Sequence, residues 1–279
     1  MAANPAAALL GGVAEAGLPP WRDPQLTGRG RLPMHAVPHP DRLGLDGSWR
    51  FQLVRRPEDE PDPGAWGEAT VPGLWTRQGT WDVPIYTNVR MPFPDRPPDP
   101  PDANPTGVYE RTFDLPAAWA GRRVVLHVGA AESVLLVALN GQAVGISKDS
   151  HLAAEFDVTS FVRPGGNALR LTVVKWSDAS FVEDQDQWWH GGITRSVYLY
   201  ATGRPYLADL VAGGSLAADG TTGTLGLEVT IDWAGTERAD GWSVTADLGL
   251  EPGAAKVPLL QLAAPVPVTA DRLERPGGA

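Results

Sequence analysis

The sequence predicts an all-β protein: a jelly-roll β-sandwich followed by the start of a second, immunoglobulin-like sandwich. Three observations predict it. Short runs alternate large apolar with polar residues at period two, as half-buried strands do. Turn-forming pairs, Asn140-Gly141 above all, separate the runs. No segment holds a 3.6-residue period; the nearest, Val158–Val162, is too short for more than one turn.

Residues 1–45 are irregular and rich in proline (Pro19, Pro20, Pro24, Pro33, Pro38, Pro40), which suits a segment lying extended across a surface. Their apolar stretch, 6–16, has no basic residue before it and is interrupted by Gly11, Gly12 and Glu15. It reads as a frayed leader, not as a signal peptide or a span. Residues 46–203 form the predicted jelly roll. Its strands are placed at Trp49–Leu53, Val108–Phe113, Arg123–Val128, Val134–Leu139, Ala143–Ser147, Ala168–Lys175 and Thr194–Tyr200. Pro164-Gly165-Gly166-Asn167 and Gly191-Gly192 supply further turns. After Pro205, runs at Leu225–Trp233, Trp242–Leu250 and Lys256–Leu262 predict the opening strands of an immunoglobulin-like sandwich over 206–279. Such a domain has about seven strands, so either a small, open-edged domain or a truncated piece of a longer protein is expected.

The bulk numbers narrow the function classes. Hydrophobic residues make up 43% of the 279, enough for a packed core. A net charge of −10 argues against nucleic acid and against an anionic membrane surface as partners. The absence of cysteine excludes disulfides, thiolate metal sites and a cysteine nucleophile, and suits a cytoplasmic protein. Eleven tryptophans against six phenylalanines fit sandwich cores and sugar platforms, where an apolar face must also offer a donor.

The chemistry concentrates in Glu183-Asp184-Gln185-Asp186-Gln187-Trp188-Trp189-His190. Carboxylates that bind hydroxyls, beside aromatic faces, suit a sugar. Read as a strand, residues i and i+2 of this run would lie roughly 6.6 Å apart on one face. A glycosidase pair must instead flank the scissile bond from two sides. One carboxylate holding hydroxyls or a hard cation through oxygen, or a solvated loop, are the readings left open. Adjacent strand residues point to opposite faces, so one tryptophan at most is expected to face a ligand. Asn88, in Tyr86-Thr87-Asn88, could serve a sugar hydroxyl or its own turn backbone equally well. The five histidines show no metal-ligand spacing, and His127 is expected to be a core or face residue of its strand. No nucleophile elbow, phosphate loop or dinucleotide fingerprint occurs.

Pro84-Ile85-Tyr86-Thr87-Asn88-Val89, Asn104-Pro105-Thr106-Gly107-Val108-Tyr109 and Trp176-Ser177-Asp178 with Glu183-Asp184-Gln185-Asp186 resemble the N-terminal sugar-binding (galactose-binding-like) domain of glycoside hydrolase family 2 β-galactosidases. Asp46–Phe51, Val71–Trp75 and Asp149-Ser150-His151 support the likeness, which runs from about Trp21 to Tyr200. The resemblance implies that Asn88 contacts the galactose. It implies that Asp186 binds the galactosyl 6-hydroxyl and helps ligate a sodium ion. It further implies a retaining hydrolysis of β-galactosides such as lactose, a homo-oligomeric full-length form, and magnesium bound by residues outside this chain. His190 departs from the usual pattern, so no role is carried over to it. In the family both catalytic glutamates lie on a (β/α)8 barrel. Nothing here reads as one and no Asn-Glu pair occurs, so no catalytic residue is assigned and the chain alone is expected to be inactive. A stand-alone carbohydrate-binding module is the alternative, and a domain that keeps the pattern without a ligand is the third reading.

Overall fold

The computed structural model describes residues 18–88, 90–183, 186–221 and 223–235, and short strands at 243–244, 247–248, 260–261 and 266–267. The leader expected at 6–16, and most of the runs expected at 242–250 and 256–262, lie outside the described residues. The chain divides into two units, Met1–Ala234 and Gly235–Ala279.

The strands of the first unit are β1 (Gly28–Arg29), β2 (Arg42–Gly44), β3 (Gly47–Val54), β4 (Gly67–Val71), β5 (Gly73–Leu74), β6 (Ile85–Thr87), β7 (Thr106–Leu115), β8 (Arg123–Val128), β9 (Ala131–Glu132), β10 (Val134–Leu139), β11 (Gln142–Ser147), β12 (Ala154–Asp157), β13 (Gly165–Val174), β14 (Gln187–Trp189), β15 (Gly192–Ile193), β16 (Val197–Thr202), β17 (Tyr206–Leu216) and β18 (Gly223–Asp232). A seven-stranded antiparallel sheet, β1-β11-β10-β13-β7-β3-β4, faces a four-stranded one, β12-β8-β16-β2. This is the expected all-β sandwich of jelly-roll type. Two small sheets, β14-β6 and β5-β15-β9, carry the loops at its margin, and β17 pairs with β18 in a long hairpin.

Alternation builds the core. Trp49 and Phe51 of β3, Tyr109 and Phe113 of β7, Leu135, Val137 and Leu139 of β10, and Leu169, Leu171 and Val173 of β13 join one cluster with Val124, Leu126 and Val128 of β8. The intervening residues of β10, Val134 and Leu136, point the other way yet are also buried. They pack with Trp21, Ile146 and Val174 in a second cluster. The N-terminal segment thus covers the outer face of the large sheet, and it also adds β1 to an edge of that sheet and β2 to an edge of the four-stranded one. Asn140 (φ 53°) and Gly141 (φ 76°) form the predicted hairpin turn between β10 and β11, both in the left-handed region that turn requires. Val158–Val162 makes the single turn expected, with Val162 N–H donating to the Val158 carbonyl at 3.0 Å.

Two expectations shift. Gly165-Gly166-Asn167 does not break the chain but opens β13, because β7 offers ladder partners as far as Leu115. The strand expected from Thr194 starts at Val197; before it, Ile193 is taken by β5 and β9 instead.

Candidate functional site

The signature run is held by a ribbon of two strands. β6 pairs antiparallel with β14 in the register Thr87↔Gln187, Tyr86↔Trp188, Ile85↔Trp189. One step past the last pair brings Asn88 opposite Asp186, and both are exposed.

The ribbon has two unlike faces. Trp189 is 7% exposed and Trp188 58%, so the pair divides as strand alternation requires. Trp189 donates its indole N–H to Thr87 Oγ1 at 2.6 Å and meets Trp176 edge-on at 5.2 Å. Trp176 continues into Phe93 (5.1 Å), and Phe93 into Phe181 (5.5 Å). Phe93 comes from the proline-dense run, which is pinned by Asn104. The buried Asn104 amide donates to the Trp176 carbonyl and accepts from the Trp176 N–H, both at 2.8 Å. On the outward face Tyr86 and Trp188 tilt against each other at 5.5 Å, and the Tyr86 hydroxyl donates to Asp186 Oδ1. That hydrogen bond, ahead of burial, holds the Tyr86 phenol above its ordinary range.

Beneath the ribbon lies a buried polar anchor. The Trp75 indole donates to Asp82 Oδ2 at 2.7 Å, and Lys175 Nζ bonds Asp82 Oδ1 and Oδ2 at 2.8 and 2.7 Å. Burial pulls the Lys175 amine down while Asp82 pushes it back. Trp75 also fixes the Gly191 turn. A Cβ on Gly191 would come within 2.1 Å of the Trp75 ring, so the residue must lack one. His190, beside it, shares a 2.8 Å hydrogen bond between its Nδ1 and Thr76 Oγ1. Burial, then Lys175 and Arg77, keep its imidazole below the ordinary value. His190 is thus partly buried and held through Thr76.

The geometry changes the reading of the acidic run. Glu183 is not in a strand. It follows the 3-10 turn Asp178–Phe181, with its N–H donating to the Ala179 carbonyl at 2.8 Å, and β14 starts only at Gln187. The i, i+2 spacing of an extended chain therefore does not apply there. Glu183 is partly buried and accepts from Ser150 Oγ at 2.6 Å; Asp184 and Gln185 lie outside the described residues. Asp186 is exposed, and among the described residues no arginine or lysine pairs with it. The two sequence-predicted residues, Asn88 and Asp186, thus lie at the same end of the ribbon, one residue beyond its last pair on either strand. Tyr86 is the residue that sequence reasoning passed over; its i, i+2 relation to Asn88 was the available signal.

Oxygen-donor chemistry at Asp186 fits a hard cation such as sodium. Among the described residues no group of three or more His, Cys, Asp or Glu could hold a metal ion. No helix among them is long and apolar enough to cross a membrane.

Comparison with known proteins agrees with this architecture. A β-galactosidase of Psychromonas ingrahamii is 43% identical over 182 residues, covering 62% of this chain and 18% of that protein. One of Arthrobacter sp. is 38% identical over 259 residues, covering 78% of this chain and 25% of that protein. The chain therefore spans about a fifth to a quarter of the length of these relatives. A solved β-glucuronidase from an uncultured Clostridium sp. shares the fold, with a TM-score of 0.53 at 19% identity over 74% of this chain and 36% of that one. The family model for the sugar binding domain of the glycosyl hydrolases family 2 matches residues 43–203. With more than half its length in that match, ribbon and acidic run included, the chain belongs to glycosyl hydrolase family 2.

Proposed function

We propose that this chain serves the hydrolysis of terminal β-D-galactosides by a retaining β-galactosidase, contributing substrate and sodium contacts to a site whose catalytic glutamates are on other polypeptide. The observation that carries this reading is the outward face of the β6–β14 ribbon. An exposed carboxylate with free acceptor positions stands beside Asn88 and two exposed aromatic rings. Asp186 accepts one hydrogen bond from protein among the described residues, which leaves lone pairs for a sugar hydroxyl and for a cation. Asn88 offers both donor and acceptor groups to a second hydroxyl. A lone carboxylate on one side of a sugar can bind and orient it but cannot supply both acid/base and nucleophile. The names of the relatives support galactoside as the substrate class.

The test is a galactose titration of the isotopically labelled chain, followed by nuclear magnetic resonance with sodium present. Expected are saturable shifts at Asn88, Asp186 and the Trp188 indole. The affinity should be weak, because half a site leaves much of the ligand in water, and it should fall at least about tenfold in Asp186→Asn, a loss of ~1.4 kcal/mol. Equal binding by wild type and Asp186→Asn would end this reading. Tight, specific binding by the chain alone would favour a self-sufficient carbohydrate-binding module.

A further inference from the structure

We propose that Tyr86 is the positioning residue of this site: its hydroxyl holds the Asp186 carboxylate in one rotamer, so that the remaining lone pairs face the ligand. The proposal rests on the sugar-site reading and adds a residue to which that reading gives no role.

Asp186 lies just before β14, exposed and with no cationic partner among the described residues. A carboxylate so placed, with water alone as partner, samples several staggered rotamers. Binding would then have to freeze one of them, a cost that preorganisation removes. The phenol is well suited to do this. Tyr86 pairs with Trp188, two residues beyond Asp186, so Tyr86 and Asp186 are diagonal neighbours on one face, within reach of a long aromatic side chain. The hydroxyl donates to Oδ1 alone.

The ring cannot easily drift. Its backbone is held in the ladder, and its outer side meets the Trp188 indole at 5.5 Å. The opposite face of the ribbon is fastened to the interior through Trp189 and Thr87. The hydroxyl position is thus referred to the sandwich core and not to solvent. The packing role of the ring needs no hydroxyl, since a phenylalanine would meet Trp188 equally well. What tyrosine adds is the single hydrogen bond to Asp186, placed where one acceptor position is filled and the others remain open.

The experiment uses the labelled 279-residue chain and its Tyr86→Phe and Asp186→Asn variants. In wild type the two Hα–Hβ scalar couplings of Asp186 should differ, one large and one small, as for a single rotamer. In Tyr86→Phe they should converge toward a common averaged value while the melting temperature stays put. Galactose affinity in Tyr86→Phe should fall roughly 3- to 10-fold, the equivalent of freezing one side chain on binding. Converged couplings already in wild type, or distinct couplings retained in Tyr86→Phe, would overturn the positioning role whether or not sugar binds. Undiminished sugar binding in Asp186→Asn would instead overturn the site itself. Loss of binding in Asp186→Asn, with Tyr86→Phe unchanged in couplings and affinity, would leave the site standing without Tyr86.

Discussion

Two carboxylates of this sandwich have tyrosine donors and aromatic neighbours, yet they do opposite things. Asp186, on the β6–β14 ribbon, is exposed and takes one donor. Glu155, on β12, has a side chain 11% exposed and takes three: His35 Nε2 at 2.9 Å, His127 Nδ1 at 2.8 Å and the Tyr200 hydroxyl at 2.7 Å. Glu155, His127 and Tyr198 stand in one row across β12, β8 and β16, with the His127 and Tyr198 rings stacked at 4.2 Å. Over this row lies the N-terminal segment. His39 stacks flat on Tyr200 at 3.8 Å, and Leu32 N–H donates to the Glu155 backbone carbonyl at 2.8 Å. His35 Nδ1 accepts from Val37 N–H, which leaves its proton on Nε2 for Glu155. A saturated carboxylate is a fastener, and an unsaturated one is available for binding. The difference lies in the donors around each acid, not in the acid.

The largest effect belongs to the tryptophan that anchors the ribbon. Trp189→Ala should cost about 3–5 kcal/mol of stability, as buried aromatic truncations do. Trp188→Ala, on the exposed face, should cost under about 1 kcal/mol. Thermal unfolding of both variants reports the split, and equal losses would mean that the ribbon is not two-faced. Next comes the fastener. Glu155→Ala leaves three donors without their acceptor and should destabilise by about 3 kcal/mol, seen in calorimetry as a fall of several degrees.

Acid should act on the same region. Burial, with His35 beside it, holds His39 at about 4, below its ordinary 6.5. Burial raises Glu155, but the hydrogen bonds from His127, Tyr200 and His35 outweigh it and bring the group to about 2, below its ordinary 4.5. Both folded values are depressed, so the released segment binds more protons and the docked one loses stability as pH falls. The His39 contribution goes as pH drops from 6.5 through 4, and that of Glu155 from 4.5 through 2. Glu155 favours protonated His39, but burial and the facing His35, Arg42 and Arg123 outweigh it. Protection of the Leu32 and Val37 amides against hydrogen exchange, relative to their intrinsic rates at each pH, should therefore fall below pH 6.5, and His39→Phe should abolish the first part of that change. The smallest effect on stability closes the comparison. Asp186→Ala should stay within about 0.5 kcal/mol of wild type while losing sugar, a separation of binding from folding that Glu155 cannot show.

Much of the molecule was legible. Period-two runs located β3, β7, β8, β10, β11 and β18 to within a few residues, because one buried face imposes that pattern on any strand. β4, β12 and the two-residue strands were missed, since two to five residues carry too little alternation to register. β17 escaped because Ala212, Gly213, Gly214 and Ser215 have almost no pattern; it is a strand because β18 pairs with it. At the site, the roles of Asn88 and Asp186 came from the family resemblance, whereas Tyr86, quoted only as part of its motif, gained one when the register set it diagonal to Asp186.

By itself the sequence determined the fold class, the Asn140-Gly141 hairpin and the division of two adjacent tryptophans between opposite faces. Those are local consequences of side-chain alternation and of backbone angles. Tertiary structure alone decided which tryptophan is buried and which carboxylate is satisfied. The donors on Glu155 come from residues 120, 28 and 45 positions away, and the donor on Asp186 from 100 positions away. A carboxylate carries the same lone pairs wherever it stands, so whether they remain free is set by strands brought together from across the chain.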